Sequence, residues 1–505
     1  MRNQYQLYPD YKAEIKEIED KGISEELIKK IIEKHANNAE YNKSLYNRYK
    51  CIDGYVPITT REPRFKMKSV NGKTPKQINN KINNDFFSEI TDFKVGYFAG
   101  KPIAYNYSRT DESEEDTGGI EAVEIAKKSL SDFVTRNNMY DMDMEATKHA
   151  SICGYAGRLL YHDEDGMERV LIIPAYEAII LSNTTIMEPE YAIRYFATED
   201  INQNEYWVVE FYDANEIRTY EGQLSSLELV KTEMNLYGYC PLQGIPNNNE
   251  LLGDAEGVLT EIDAYDRVVS DCSNQIEGQV HSKEIYENVN ISEEEIAMAN
   301  YTGALSFFNG NGNGKIYNLE KNINDGFVEH HLERLTENIY RFSRTPNLND
   351  DAFGNATGVA LKFKLTGLET KCGMFQAKMA SAGVYMFKLL ASAWAKRQIT
   401  IDPLQCYMDF KRNFPLDIEG EARAAQQLIA AGLPEEVAYS LAISAIDDID
   451  YVMQLIENKK QNIPSLEDRI KEDEDLQDDE DDLEDDDIED DEDEDELKNA
   501  KREKK

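Results

Sequence analysis

Apolar residues recur every three or four positions along most of this chain and alternate with polar ones through one stretch of its middle. The first spacing predicts helices and the second half-buried strands. Residues 24–35 carry Leu27, Ile28, Ile31 and Ile32 on one helical face, with Ser24 placed to cap it. Residues 38–49 predict a second helix through Tyr41, Leu45 and Tyr49. Residues 51–73 are basic and contain Pro57 and Pro63, which predicts a loop or arm. Helical spacing returns over 76–98 and 119–153. From 158 to 240 the pattern is β-rich: 158–162 and 169–173 flank the turn signal Asp163-Glu164-Asp165-Gly166, and 191–197 and 206–212 alternate.

Residues 247–278 predict one long helix, because Leu251, Ala255, Val258, Ile262, Tyr265, Val269, Cys272 and Ile276 keep step. A mixed segment, 279–322, holds a glycine-rich run, and 327–342 is helical again. Residues 345–357 form a polar loop. Then Leu361, Leu365, Leu368, Cys372, Phe375, Met379, Ala382, Met386, Leu389 and Ala393 step by four and three, a heptad-like seam. A helix over 357–397 would run roughly 60 Å, with Gly367, Gly373 and Gly383 permitting bends. Shorter helices follow over 419–459. The whole reads as an α+β chain, mainly helical.

At 505 residues the chain is long enough for several folded units, and 41% hydrophobic residues supply their cores. Charge changes the picture more. The net charge is −42. Residues 464–505 hold roughly 24 acids against roughly 7 bases, an acidic low-complexity tail that cannot bury a core and is expected to be disordered. The remainder is still acidic. A protein that grips nucleic acid carries a basic footprint, and this composition has the opposite sign. The six cysteines form no C-x-x-C pair and read as free thiols of a reducing compartment. No apolar run approaches the roughly 20 residues that span a bilayer, and the polar start has no signal-peptide core, so a soluble intracellular protein is expected.

Candidate chemistry is thin. Gly72-Lys73-Thr74 has the ending of a phosphate-binding loop, but that loop needs a glycine five positions before Gly72, where Met67 stands. Gly310, Gly312 and Gly314 lack the spacing of a dinucleotide site. Asp163, Asp165 and Gly166 lack the remaining ligands of a calcium loop and read as a hairpin turn. Asp141, Asp143 and Glu145 read as an acidic helix surface, and the adjacent His330 and His331 point apart on a helix. No G-x-S-x-G elbow is present. Neither a catalytic residue nor a metal or cofactor site is expected. The most informative chemistry is the acid of the first long helix, where Glu250, Asp254, Glu256, Glu261, Asp263, Asp266 and Asp271 face the single base Arg267. That is either a solvated helix face or a negative wall turned towards something that must not stick.

Three motifs carry a resemblance. Residues 80–105 contain Asp92, Gly96-Tyr97-Phe98, Gly100, Pro102-Ile103 and Tyr105. Pro246-Asn247-Asn248-Asn249-Glu250 opens the acidic helix that carries Tyr265-Asp266. Arg344-Thr345-Pro346-Asn347-Leu348-Asn349-Asp350-Asp351-Ala352-Phe353-Gly354-Asn355-Ala356-Thr357-Gly358 leads to Leu365 and Gly367-Leu368-Glu369. In this order they resemble the portal proteins of tailed bacteriophages, in particular siphophages of Gram-positive hosts.

The resemblance implies a portal fold with wing, stem, clip and crown domains around long helices, assembled as a ring. It divides the chain into N-terminal helices and a β-rich wing (1–246), a stem helix (247–278), the clip (279–322), a second stem helix (323–343), the tunnel loop (344–357), a long wing helix and its return (358–414), the crown (415–460) and the acidic tail (461–505). It implies a dodecameric channel at one capsid vertex through which the terminase packages double-stranded DNA, with the DNA later ejected. It also implies that the ring nucleates head assembly. The DNA-facing loop residues are then Thr345, Pro346, Asn347, Leu348, Asn349, Asp350, Asp351, Phe353, Gly354 and Asn355. The implied partners are further copies of the chain, DNA, the terminase large subunit, the head-completion adaptor, and scaffolding and major capsid proteins, without a membrane. The implied location is the virion, with the host cytoplasm during assembly. Two other classes are weighed beside it: a head-morphogenesis scaffold or adaptor that binds proteins only, and a metal-dependent nuclease, for which no arranged site is evident.

Overall fold

A computed structural model describes residues 2–63, 78–108, 117–280, 284–287, 315–318, 325–347, 363–413 and 418–442. The chain divides into two compact units, Met1–Phe414 and Pro415–Lys505. About half of the described residues are helical and the rest includes antiparallel sheets, an α+β architecture. The phosphate-loop ending at Gly72-Lys73-Thr74, the alternating glycines 310–314, most of 279–322, residues 348–357 and everything from 443 on lie outside the described residues.

In the first unit, α1 (Lys12–Lys21) leads into α2 (Glu25–Tyr49), capped by the Ser24 hydroxyl, which accepts from the Leu27 amide. The two helices expected over 24–49 are one. Asn38 and Asn42 sit buried in its middle without breaking it: the Asn38 amide donates to the Gln6 carbonyl at 2.7 Å and the Asn42 amide to Asn38 Oδ1 at 3.0 Å. Leu27, Ile28, Ile31 and Ile32 then cover one face of a five-stranded antiparallel sheet, meeting Ile179, Ile193, Val209 and Phe211. That sheet runs in chain order as β4 (Ala178–Leu181), β5 (Tyr191–Glu199), β6 (Glu205–Tyr212), β7 (Glu216–Gln223) and β8 (Ser226–Met234).

The predicted hairpin is β2 (Tyr155–His162) and β3 (Glu168–Ile173), with Gly166 at φ +72° in its turn. A third strand, β9 (Leu242–Pro246), completes this sheet in the order β3-β2-β9. The helical stretch expected over 119–153 is broken into α4 (Thr117–Arg136) and α5 (Met139–Cys153), because Asn138 takes a left-handed conformation at φ +45°. Helix α3 (Phe86–Ala99) starts ten residues later than its periodicity predicts. Residues before it are occupied otherwise: the amides of Asn80, Ile82 and Asn84 donate to Asn274, Ser270 and Asp266.

The acidic helix also starts late. α6 (Leu259–Val280) follows a short 3-10 turn, Glu256–Val258, and residues 247–255 form an irregular turn. Leu251 there has φ +55°, Asn248 Oδ1 accepts from the Leu252 amide, and the Asp254 amide donates to the Ser151 carbonyl at 2.7 Å. Asparagine-rich segments satisfy their own backbone in this way and so resist helix. A strand pair, β10 (Glu284–Glu287) with β11 (Lys315–Asn318), follows, then α7 (Asp325–Ser343).

The seam helix is α8 (Thr366–Ala395). Leu365, Leu368, Cys372, Phe375, Met379, Ala382, Met386, Leu389 and Ala393 are all buried, against Phe98, Ala146 and Ile245 at one end and Phe133 and Trp394 at the other. Gly383 serves close packing here: a Cβ would meet the Met408 sulfur at 2.5 Å. Met408 lies on β12 (Cys406–Asp409), which pairs with β1 (Ala104–Tyr107). In the second unit, α9 (Ile418–Ala430) ends where Gly432 turns left-handed at φ +94°, and α10 (Glu435–Ala442) follows.

Candidate functional site

The three motifs that are far apart in sequence meet in the structure. Lys94, three residues before Tyr97 on α3, is buried, and its ammonium donates to Asp254 Oδ2 at 2.8 Å and to Asn247 Oδ1. Asn247 belongs to the asparagine motif, and Asp254 to the turn that this motif starts. Asp254 Oδ1 pairs with the Lys371 ammonium at 2.9 Å, and Ser151 donates to Oδ2 at 2.6 Å. Lys371, two residues after Glu369, also donates to the carbonyl of Ser343, the last residue of α7, at 2.8 Å. The asparagine turn is therefore a carrier that brings one carboxylate to Lys94 within the first motif and to Lys371 just past the third. Burial pushes the Asp254 carboxyl up, but the Lys94 and Lys371 ammoniums outweigh it and hold the group well below the usual carboxylate range.

Contacts around this cluster account for other motif residues. The Tyr97 hydroxyl donates to Glu369 Oε2 at 2.9 Å, and Arg412 grips the same carboxylate through two nitrogens at 2.9 and 3.0 Å. The Arg412 guanidinium lies over the Phe98 ring at 5.1 Å. Gly100 must be small, because a Cβ there would run into the Gly96 carbonyl oxygen and crowd the Asn413 side chain. The Tyr49 hydroxyl donates to Asp92 at 2.8 Å. Tyr105 donates to Asp143, whose two oxygens lie 2.8 and 2.9 Å away. That corrects the reading of Asp143 as helix surface: it is buried, and burial raises its pKa to about 7 despite Tyr105 and the Arg158 charge.

The acids of the first long helix divide into distinct groups. Glu250 is exposed. Asp254 and Glu256 are interior, and Glu256 is held by Arg2 at 2.9 Å and by Tyr41 at 3.2 Å. Asp263 pairs with Arg48 and Asp271 with Arg61. Asp266 is buried and accepts from the Asn84 amide and side chain at 2.8 and 2.9 Å. Glu261 is partly exposed and accepts from Thr260. Four of the seven acids are thus ion-paired within the chain, by Arg2, Arg48, Arg61 and the two lysines. Sequence reading missed these bases because they stand more than 100 positions away.

The loop from 344 begins in a tight turn. Arg344 has φ +58°, its amide donates to the Arg341 carbonyl, and the Thr345 amide donates to the Tyr340 carbonyl at 3.1 Å. This is a left-handed helix stop of the kind usually built on glycine. Thr345 is buried, and Arg344 stands near the start of α8, where a Cβ added at Gly367 would come into van der Waals contact with it. Pro346 and Asn347 are the last described residues of the loop, and Leu348, Asn349, Asp350, Asp351, Phe353, Gly354 and Asn355 lie outside the described residues. Among the described residues no group of three or more His, Cys, Asp and Glu is placed to hold a metal ion, and no helix is long and apolar enough to cross a membrane.

Among the described residues the three motifs meet around buried ion pairs, and the comparisons give the class of protein that carries them. Residues 28–465 match the family described as phage portal protein, SPP1 Gp6-like, and the chain belongs to that family. A portal protein of Clostridium phage phiCD119 is 24% identical over 328 residues, which cover 60% of this chain and 69% of that protein.

Proposed function

We propose that this chain is the subunit of a dodecameric ring at one capsid vertex, the channel through which the terminase packages double-stranded DNA and through which the DNA later leaves. Membership of the portal family over 28–465 supports this reading. The observation that carries the site is the anchoring of the 344–357 loop: its starting point rests on the ion cluster where the three family-like motifs meet. In this proposal Thr345, Pro346, Asn347 and residues 348–355 face DNA, and asparagine side chains touch phosphates without reading sequence. The ring also nucleates head assembly, meets scaffolding and major capsid proteins, and docks the head-completion adaptor through the 279–322 segment.

The channel wall is acidic but less charged than the helix sequence implies. Glu250 and Glu261 carry accessible charge, whereas Asp254 and Glu256 serve the interior. A wall with few free cations avoids the counterion release that drives tight DNA binding, so DNA slides in either direction. Deleting 347–355 is expected to abolish packaging or retention of DNA while particles still assemble. Packaging and retention both at wild-type level would contradict the assignment of the loop.

A further inference from the structure

The cluster at the loop base holds one cation more than charge balance needs. Lys94 alone neutralises Asp254 at 2.8 Å, yet Lys371 is also brought to the same carboxylate, its side chain only 12% exposed. Burying a second ammonium is costly unless it has a further partner. That partner is the Ser343 carbonyl, 2.8 Å away at the C-terminal end of α7. The last carbonyls of a helix have no intrahelical donor and form its negative pole, so a cation there is favoured twice over.

The residue after this carbonyl is strained. Arg344 takes the left-handed conformation at φ +58°, which costs a side-chain-bearing residue of the order of 1 kcal/mol and persists only where the surroundings impose it. Lys371 projects from the second turn of α8, pairs with the turn before α6 and holds the end of α7. One side chain thus ties together three segments at the point where the loop departs.

We infer that Lys371 is a positioning residue: its ammonium clamps the Ser343 carbonyl to Asp254 and so fixes the course of residues 344–347 into the loop. The inference gains functional meaning from the reading of that loop as DNA-facing, but its test does not need DNA. The measurement is amide hydrogen exchange, read by mass spectrometry on the purified full chain, for wild type, Lys371→Met and Lys371→Arg. Methionine keeps the apolar stem and leaves Asp254 paired with Lys94. Exchange in the peptide covering 340–347 is expected to speed up by about 10-fold or more in Lys371→Met, as for loss of a charge-assisted hydrogen bond, with α3 and α5 unchanged. Lys371→Arg is expected to restore most of the protection.

Unchanged exchange at 340–347 would overturn the inference, as would an equal rise in α3, α5 and α7, which marks a purely structural lysine. If Lys371→Met does not accumulate, Arg344→Gly combined with Lys371→Met gives the same comparison. Glycine relieves the left-handed strain at position 344, so the double variant is expected to accumulate, while 340–347, without the Lys371 ammonium, still exchanges faster than in an Arg344→Gly single variant. Equal exchange at 340–347 in the double variant and in Arg344→Gly, or failure of the double variant to accumulate where Arg344→Gly does, would count against the clamp. Fast exchange in Lys371→Met together with wild-type packaging would support the clamp and count against the DNA-facing reading of the loop.

Discussion

Replacing Asp254 by asparagine probes the cluster most sharply. The substitution keeps the shape of the side chain and removes the carboxylate that, among the described residues, pairs with both Lys94 and Lys371. Both ammoniums then remain buried without a counter-charge. Removing one partner of a buried pair typically costs about 3–5 kcal/mol. Unit 1 spans Met1–Phe414. For a cooperative unit of that size, at about 2.1 cal/mol/K per residue, a loss of about 4 kcal/mol lowers Tm by about 5 °C. The pH dependence gives a second signature. An uncompensated buried lysine has a folded pKa below its unfolded one, so the unfolded state binds more protons and stability rises with pH up to the unfolded value. The Tm gap between Asp254→Asn and wild type should therefore shrink between pH 7 and pH 9.5. Differential scanning calorimetry at the two pH values is the assay. A gap under about 1 °C at pH 7, or one that widens with pH, would refute the reasoning.

Two further perturbations test other parts of the account. The folded pKa of Asp143 is raised to about 7 from an ordinary 3.8, so the folded state binds the extra proton between those values and stability falls as pH rises from about 4 to about 7. Asp143→Asn should flatten that slope in urea titrations at pH 5, 6 and 7, and an unchanged slope would assign it elsewhere. Phe375 is fully buried, edge-on to Phe98 at 4.9 Å and beneath the Lys94 ammonium at 4.6 Å. Phe375→Ala should cost about 3–5 kcal/mol. Met374→Ala on the exposed side of the same helix should be near neutral by thermal unfolding, and equal effects of the two would contradict the seam assignment.

The seam of α8 was legible because its period is local: every predicted position within the described residues is buried. The β2–β3 hairpin was legible for the same reason, since Asp163 to Gly166 is a turn whatever surrounds it. The start of α6 was misread. Leu251, Ala255 and Val258 keep helical step, and nothing in the period discloses that Asn248 caps Leu252 or that Leu251 turns left-handed. The acidic helix was misread more deeply. Local sequence counted its charges correctly, but their partners Arg2, Arg48, Arg61, Lys94 and Lys371 come from α8 and from the N-terminal part of the chain. A surface charge and a buried paired one have the same letter, and only the tertiary contact separates them. Resemblance located the three motifs, while the structure supplies a physical reason for residues within and beside them: they meet around one ion cluster at the start of one loop.

The central claim is that this family member works as a ring with a passage for DNA. Electron microscopy of the purified full-length chain, averaged along the symmetry axis, measures that directly. The account predicts closed rings of twelve subunits with an open central channel wide enough for a DNA duplex. A monodisperse monomer at micromolar concentration under assembly conditions, or rings whose centre is filled by protein, would contradict it.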